Sequence, residues 1–517
     1  MKPTLLPNLI LAALAVLPSS RADVKLSRAF SDHMVLQQGQ PIRIFGTASK
    51  GEKVTAKLNG KSATATAGDS GKFLVELPAM AADGKAHTLE VSGKNTVSVQ
   101  DVLLGEVWIC SGQSNMEWSV SGTLDAGKEI AAADHPQIRI FDVPGHVAGP
   151  VPQEDPRGSW RICSPQTIGG FSAVGYFFGR VLQKELGVPV GLIGTNWGGT
   201  RIEPWTPPVG FEQVPDLKDY RESIESVDPS TKAGKANHER YLAQAEAWLK
   251  EAQGNVAAGK AISSPPQFNL SPKGGATHIY NGMVYGLLPM SVKGAIWYQG
   301  ESNAGDGLRY DYLKEALVKG WRSVFRNDDL SFYWVQLANF QSPSDNPSGG
   351  GWGPVREGQR RALRIPGTGM AVIIDIGEER DIHPKNKQDV GARLALWALA
   401  NDYGKDIVYS GPLYKCMKVE GDSIRISFDH VGGGLVTAKK EGLAPAKVVK
   451  EPLSHFAIQS NDGNWHWAKA EIDGDTVVVR ADGVKNPKHV RFGYQSNPVG
   501  INLYNKEGLP ASPFTTD

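Results

Sequence analysis

The segment Gly112-Gln113-Ser114-Asn115-Met116 follows a short apolar run that ends at Cys110. A strand that stops at Gly-x-Ser presents the serine at a sheet edge, with its hydroxyl exposed. That hydroxyl becomes a nucleophile only when a base takes its proton. The strongest candidate base lies far downstream, His383 in Asp381-Ile382-His383-Pro384. Gly-x-Ser alone arises by chance in many proteins. The two segments together point to a serine hydrolase. Two polar-rich blocks stand between them: Asn196-Trp197-Gly198-Gly199-Thr200-Arg201-Ile202-Glu203-Pro204-Trp205, and Ile296-Trp297-Tyr298-Gln299-Gly300-Glu301-Ser302-Asn303-Ala304. The histidine sits in a fourth block, residues 375–386.

These blocks need elements that bring them together. From about residue 101 the apolar pattern predicts strands over 102–110, 189–194, 292–298, 331–337 and 370–376. Helices are predicted over 172–186, 311–325, 355–363 and 387–400, the first ended by Gly187. Alternating strands and helices imply an α/β fold with a parallel sheet and helices on both faces. Ligands of such sheets sit at the carboxyl ends of the strands. Ser114, Trp197 to Gly199, Gln299 to Glu301 and His383 all follow predicted strands, which makes one shared site the simplest arrangement.

The flanks are different in style. Residues 23–100 alternate apolar and polar positions, with strands predicted over 41–46, 53–58, 72–77 and 87–91 and a hairpin turn at Asn59-Gly60. This reads as a β-sandwich-like module. The hydrolase region is expected over 101–205 and 279–405, interrupted at 206–278 by a helical insertion with a helix over 237–252. A second β-rich module is expected over 406–517, with strands at 423–428, 444–448, 456–458, 476–480 and 489–494. Residues 1–22 read as a signal peptide: Lys2, an apolar run and Ser20-Arg21-Ala22, with cleavage expected after Ala22 and a secreted or periplasmic mature chain. No later stretch reads as a membrane span. A net charge of +1 argues against a nucleic-acid partner. Three cysteines permit at most one intramolecular disulfide, and no Cys/His spacing suits zinc. No metal and no cofactor are expected. Packing is the simplest role for most of the 13 tryptophans.

The four blocks, in this order, resemble the sialate O-acetylesterase family of the SGNH (GDSL-like) hydrolases. Trp297-Tyr298-Gln299-Gly300-Glu301-Ser302-Asn303 is the most specific motif. The resemblance extends to Phe30-Ser31-Asp32-His33-Met34-Val35-Leu36-Gln37 near the start and to Leu503-Tyr504-Asn505-Lys506-Glu507-Gly508-Leu509-Pro510 near the end. It implies a serine esterase that removes O-acetyl groups from sialic acids or related acetylated carbohydrates. An acetylxylan esterase and a non-catalytic carbohydrate-binding protein are the alternatives. It also implies roles: Ser114 as nucleophile and His383 as general base and acid.

The wider SGNH pattern places Asp three residues before His, where this chain has Arg380. Asp381 is then the candidate for orienting the imidazole, with a backbone carbonyl, Glu379 or Asp375 as substitutes. The backbone N–H groups of Ser114 and Gly199 are candidate oxyanion donors, and the Gln299 side chain is a third. Glu301, Asn115, Arg201 and Asn303 are expected to support these groups or to touch substrate. For Arg201 the options are a sialate carboxylate or a plain salt bridge. Trp197, Trp205 and Trp297 are candidates for a sugar cleft or for the core.

Overall fold

The computed structural model describes residues 23–267 and 275–517. The signal-peptide expectation for residues 1–22 lies outside the described residues.

A single strand, Thr96–Gly112, links two modules. Its first part pairs antiparallel with His87–Ser92, matching Val91 with Val97. Its last part runs through the central parallel sheet, where every residue from Val102 is buried. The change of style near residue 101 therefore falls inside a continuous strand. Asn59 and Gly60 both take positive φ, 44° and 71°, and join Lys53–Leu58 to Lys61–Thr66. Positive φ at both central residues is the requirement of a two-residue hairpin turn.

The central sheet has the order Trp160–Cys163, His135–Asp142, Val190–Asn196, Thr96–Gly112, Gly294–Tyr298, Ser331–Val335, Thr368–Ala371. Every neighbouring pair is parallel except the first, an antiparallel edge. Alternating side chains show the two covered faces. Phe332 meets Trp321 of helix Tyr310–Phe325, while Tyr333 donates to Asp402, next to helix Lys387–Asn401. Helix Ala173–Leu186 starts where Ser172 accepts the Gly175 N–H and ends at left-handed Gly187, the pairing of capping oxygen and terminal glycine that defines a helix.

Two expectations are corrected. The strand predicted over 370–376 leaves the sheet after Ala371, because its neighbour ends at Val335 and the Ile376 N–H turns back to the Ile373 carbonyl. Residues 372–376 remain largely buried, and an apolar run alone does not separate a strand from a buried turn. The strand predicted over 444–448 shrinks to Lys447–Val448, both exposed.

In the insertion, helices Lys218–Val227 and Lys232–Ala257 pack on each other. Tyr241, Ala245, Trp248 and Ala252 form the covered stripe, whereas Leu249 is exposed. The C-terminal module contains the antiparallel sheet Leu413–Glu420, Ser423–Asp429, Thr476–Arg480, Lys469–Asp473. Buried Arg356 fastens this module by donating to the carbonyls of Leu337, Ala338, Gln495 and Ser496. All three cysteines are free. Among the described residues no helix is long and apolar enough to cross a membrane.

Candidate active site

Three parallel strands end level with one another. Gly112 registers with Asn196 on one side and with Tyr298 on the other. The blocks that follow these strands therefore emerge together. At Gly112 φ is +140°, and a Cβ would lie 2.2 Å from the Tyr298 carbonyl oxygen, so only glycine fits. The Gln113 N–H donates to that same carbonyl at 2.9 Å. The chain then turns into a one-turn helix, Ser114–Glu117.

His383 approaches this helix from the loop after the last strand. Its Nε2 lies 2.9 Å from Ser114 Oγ. Trp118 stacks on the imidazole with centroids 4.9 Å apart and planes 16° apart. Burial and the neighbouring Lys387 push the His383 pKa below its ordinary 6.5, against the pull of Asp381. A neutral imidazole is the form able to accept the serine proton.

Asp381 Oδ1 accepts the backbone N–H of His383 at 2.9 Å and stands 3.5 Å from Nδ1. The second distance is long for an N–H···O bond. The carboxylate caps its own turn and faces the ring at a greater distance. Asp375 is held by Arg393 at 2.6 and 2.8 Å and accepts the Tyr504 hydroxyl. Glu379 is exposed.

Asn115 is buried behind the serine. Its Nδ2 donates to Glu301 Oε1 at 2.6 Å and to the Ile382 carbonyl at 2.9 Å. Its Oδ1 accepts from Lys387 Nζ. Burial raises the Glu301 pKa and brings that of Lys387 down to about 7. Glu301 thus braces helix Ser114–Glu117 through Asn115.

The loop after strand Val190–Asn196 lies against the serine. The Trp197 N–H donates to the Gly112 carbonyl at 3.1 Å, and Thr200 Oγ1 closes the turn onto the Trp197 carbonyl at 2.7 Å. Gly199 has φ +69° with open space beside it. Among the described residues the backbone N–H groups of Ser114 and Gly199 have no protein acceptor.

Gln299 departs from expectation. Its amide donates to the Thr200 carbonyl and to Asn303 Oδ1, its oxygen accepts from Tyr310, and it is fully buried. No donor remains for an oxyanion. Asn303 is equally committed: it accepts from Ile202 N–H and donates to Glu203 and Asp306. Arg201 is a salt bridge, bound to Glu203, Asp306 and the Ser302 carbonyl. Trp205 and Trp297 are fully buried core residues, and only Trp197 of the three is partly exposed. Gln299, Asn303 and Arg201 thus tie the loop after strand Val190–Asn196 to the loop after strand Gly294–Tyr298.

Sequence reasoning gave no role to Glu117, Trp118, His146 or Lys387. Glu117 Oε2 accepts the Gly198 N–H at 2.7 Å, and Oε1 lies 2.7 Å from His146 Nε2. The spacing of Glu117 and Trp118, one turn after Ser114, was a usable signal. No local pattern marks His146.

A family model described as "Carbohydrate esterase, sialic acid-specific acetylesterase" matches residues 104–239. The sialate O-acetylesterase of Rattus norvegicus is 31% identical over 446 residues, covering 77% of this chain and 78% of its own length. The chain belongs to the sialate O-acetylesterase family. The Homo sapiens member is 29% identical, over 74% of this chain and 72% of its own. A carbohydrate acetylesterase from Xanthomonas citri has a crystal structure that matches with a TM-score of 0.78 at 35% identity, over 96% of this chain and 99% of that one. The likeness to that structure spans nearly the whole chain.

Proposed function

We propose that this protein is an exported serine esterase that removes O-acetyl groups from sialic acids or related carbohydrates. The observation that carries the mechanism is the 2.9 Å separation of Ser114 Oγ and His383 Nε2. Ser114 Oγ attacks the acetyl carbonyl carbon while His383 takes its proton. The backbone N–H groups of Ser114 and Gly199 receive the negative charge that gathers on the carbonyl oxygen, which is where prepositioned donors contribute most. The tetrahedral intermediate collapses, the ester C–O bond breaks, and His383 returns the proton to the sugar oxygen. Water, activated by the same histidine, then attacks the acetyl-serine and releases acetate. Asp381 holds the His383 turn and favours the imidazolium that forms between these steps. Family membership and the activities of the rat and Xanthomonas citri relatives support the acetylated-carbohydrate substrate.

Acetate release from O-acetylated sialosides and acetylated polysaccharides tests the reading. Ser114→Ala is expected to lower kcat about 10⁴-fold or more. Hydrolysis at the wild-type rate by that variant would overturn the serine mechanism. Export is tested by N-terminal sequencing of the mature protein, which should begin at Asp23.

A further inference from the structure

Ser114 opens a one-turn helix and Glu117 closes it. A carboxylate in a first helical turn ordinarily serves its own helix's free N–H groups. The Glu117 carboxylate instead leaves its helix. Its Oε2 accepts the backbone N–H of Gly198 at 2.7 Å, in the loop that follows a different strand. Gly198 also touches the nucleophile closely: a Cβ built there would lie 3.3 Å from Ser114 Cβ and 3.0 Å from Glu117 Oε2.

Gly199 comes next. Peptide planes are rigid, and two soft dihedrals separate successive N–H groups. With the Gly198 N–H held by Glu117, and the turn closed by Thr200 onto the Trp197 carbonyl, the direction of the Gly199 N–H is restricted on both sides. The other Glu117 oxygen lies 2.7 Å from His146 Nε2. The His146 ring is stacked flat on Trp197, centroids 4.9 Å and planes 6° apart. His146 takes φ +45°, a backbone conformation that a non-glycine residue keeps only where its surroundings hold it.

We infer that Glu117 is a positioning residue: its carboxylate ties the loop carrying the Gly199 N–H to the helix carrying Ser114, and His146 holds that carboxylate in place. Nucleophile and oxyanion donor then move as one body. The inference rests on the serine-esterase reading above.

The experiment compares Glu117→Ala, Glu117→Met and Glu117→Gln on 4-nitrophenyl acetate, whose leaving group makes no sugar contacts. Glu117→Gln keeps an oxygen that accepts the Gly198 N–H, and its kcat should stay within about threefold of wild type. Glu117→Ala and Glu117→Met lack the acceptor, and kcat should fall about tenfold or more with KM within about twofold. Inhibition by methylboronic acid, which forms a tetrahedral serine adduct, should weaken in parallel with kcat. His146→Ala should lower kcat less than Glu117→Ala. Glu117→Met keeps the length of the side chain and serves if the alanine variant does not fold. Wild-type kcat in the acceptor-less variants would overturn the inference. So would an equal loss in Glu117→Gln, or a loss confined to KM. Ser114→Ala run alongside separates the two readings. If it is active, the esterase mechanism fails; if it is inactive while Glu117→Met matches wild type, only the positioning role fails.

Discussion

Asn115, the residue after Ser114, donates a 2.9 Å hydrogen bond to the carbonyl of Ile382, the residue before His383. Ser114 and His383 are therefore joined by one side-chain bridge between their immediate neighbours. Glu301 accepts the other hydrogen bond of the same Asn115 Nδ2, and Lys387 Nζ donates to Asn115 Oδ1. The 2.9 Å contact of Ser114 with His383 lies beside this brace.

Replacing Asn115 with Leu keeps the volume and removes the bridge. It also deprives buried Glu301 of a donor, and one Glu301 oxygen already lacks a partner among the described residues. Urea unfolding should show a loss of about 1–3 kcal/mol. At temperatures where the variant is still folded, kcat should fall more than KM changes.

The pH profile follows from the His383 environment. Burial and Lys387 lower its pKa below 6.5, and in the proposed mechanism the neutral ring is the active form. The acid limb of kcat/KM for the free enzyme should have its midpoint below pH 6.5. Below that midpoint it should decline by about tenfold per pH unit. An acid limb centred above 6.5 would contradict the environment described for His383.

Lys387→Met tests the second of those two causes. Lys387 is fully buried, with its pKa brought down to about 7. Its positive charge disfavours a second one on His383. Without it the His383 pKa should rise, so the acid limb of kcat/KM should move to higher pH. The limb staying in place would assign the whole His383 shift to burial.

Asp381→Asn measures how far the carboxylate acts on the ring. At 3.5 Å from Nδ1 it is not tightly bonded, and an Asn oxygen still caps the His383 N–H. The expected fall in kcat is about 10- to 100-fold, short of the ~10⁴-fold that follows loss of a tightly bonded triad carboxylate. Asp381→Ala should fall further, because it also removes the cap.

Gly198→Ala inserts a methyl 3.0 Å from Glu117 Oε2 and 3.3 Å from Ser114 Cβ. Both neighbours must give way. Thermal unfolding should change little, since the loop is at the rim of the sheet, whereas kcat should drop about tenfold or more.

The convergence of the four blocks was legible in the sequence. Strand and helix periods are local, and parallel strands joined by helices must end on one edge. Ser172 and Gly187 bound their helix by their own chemistry, and Asn59-Gly60 fixes its hairpin. The direction of a buried amide is not local. Gln299 follows a strand as an oxyanion donor would, yet Thr200, Asn303 and Tyr310 consume its polar atoms. Arg201 looked available for an anionic ligand until Asp306 and Glu203 were seen around it.

By itself, then, the sequence determined the parallel sheet, the serine and histidine at its carboxyl edge and the glycines that the turns require, because each follows from periodicity or from what one residue type can adopt. Only the tertiary structure decided which polar groups face the reaction and which brace it, the reach of Asp381, and the meeting of Glu117 with Gly198 and His146. Hydrogen-bond partners across distant segments depend on how loops stack at the end of the sheet, and no spacing along the chain encodes that.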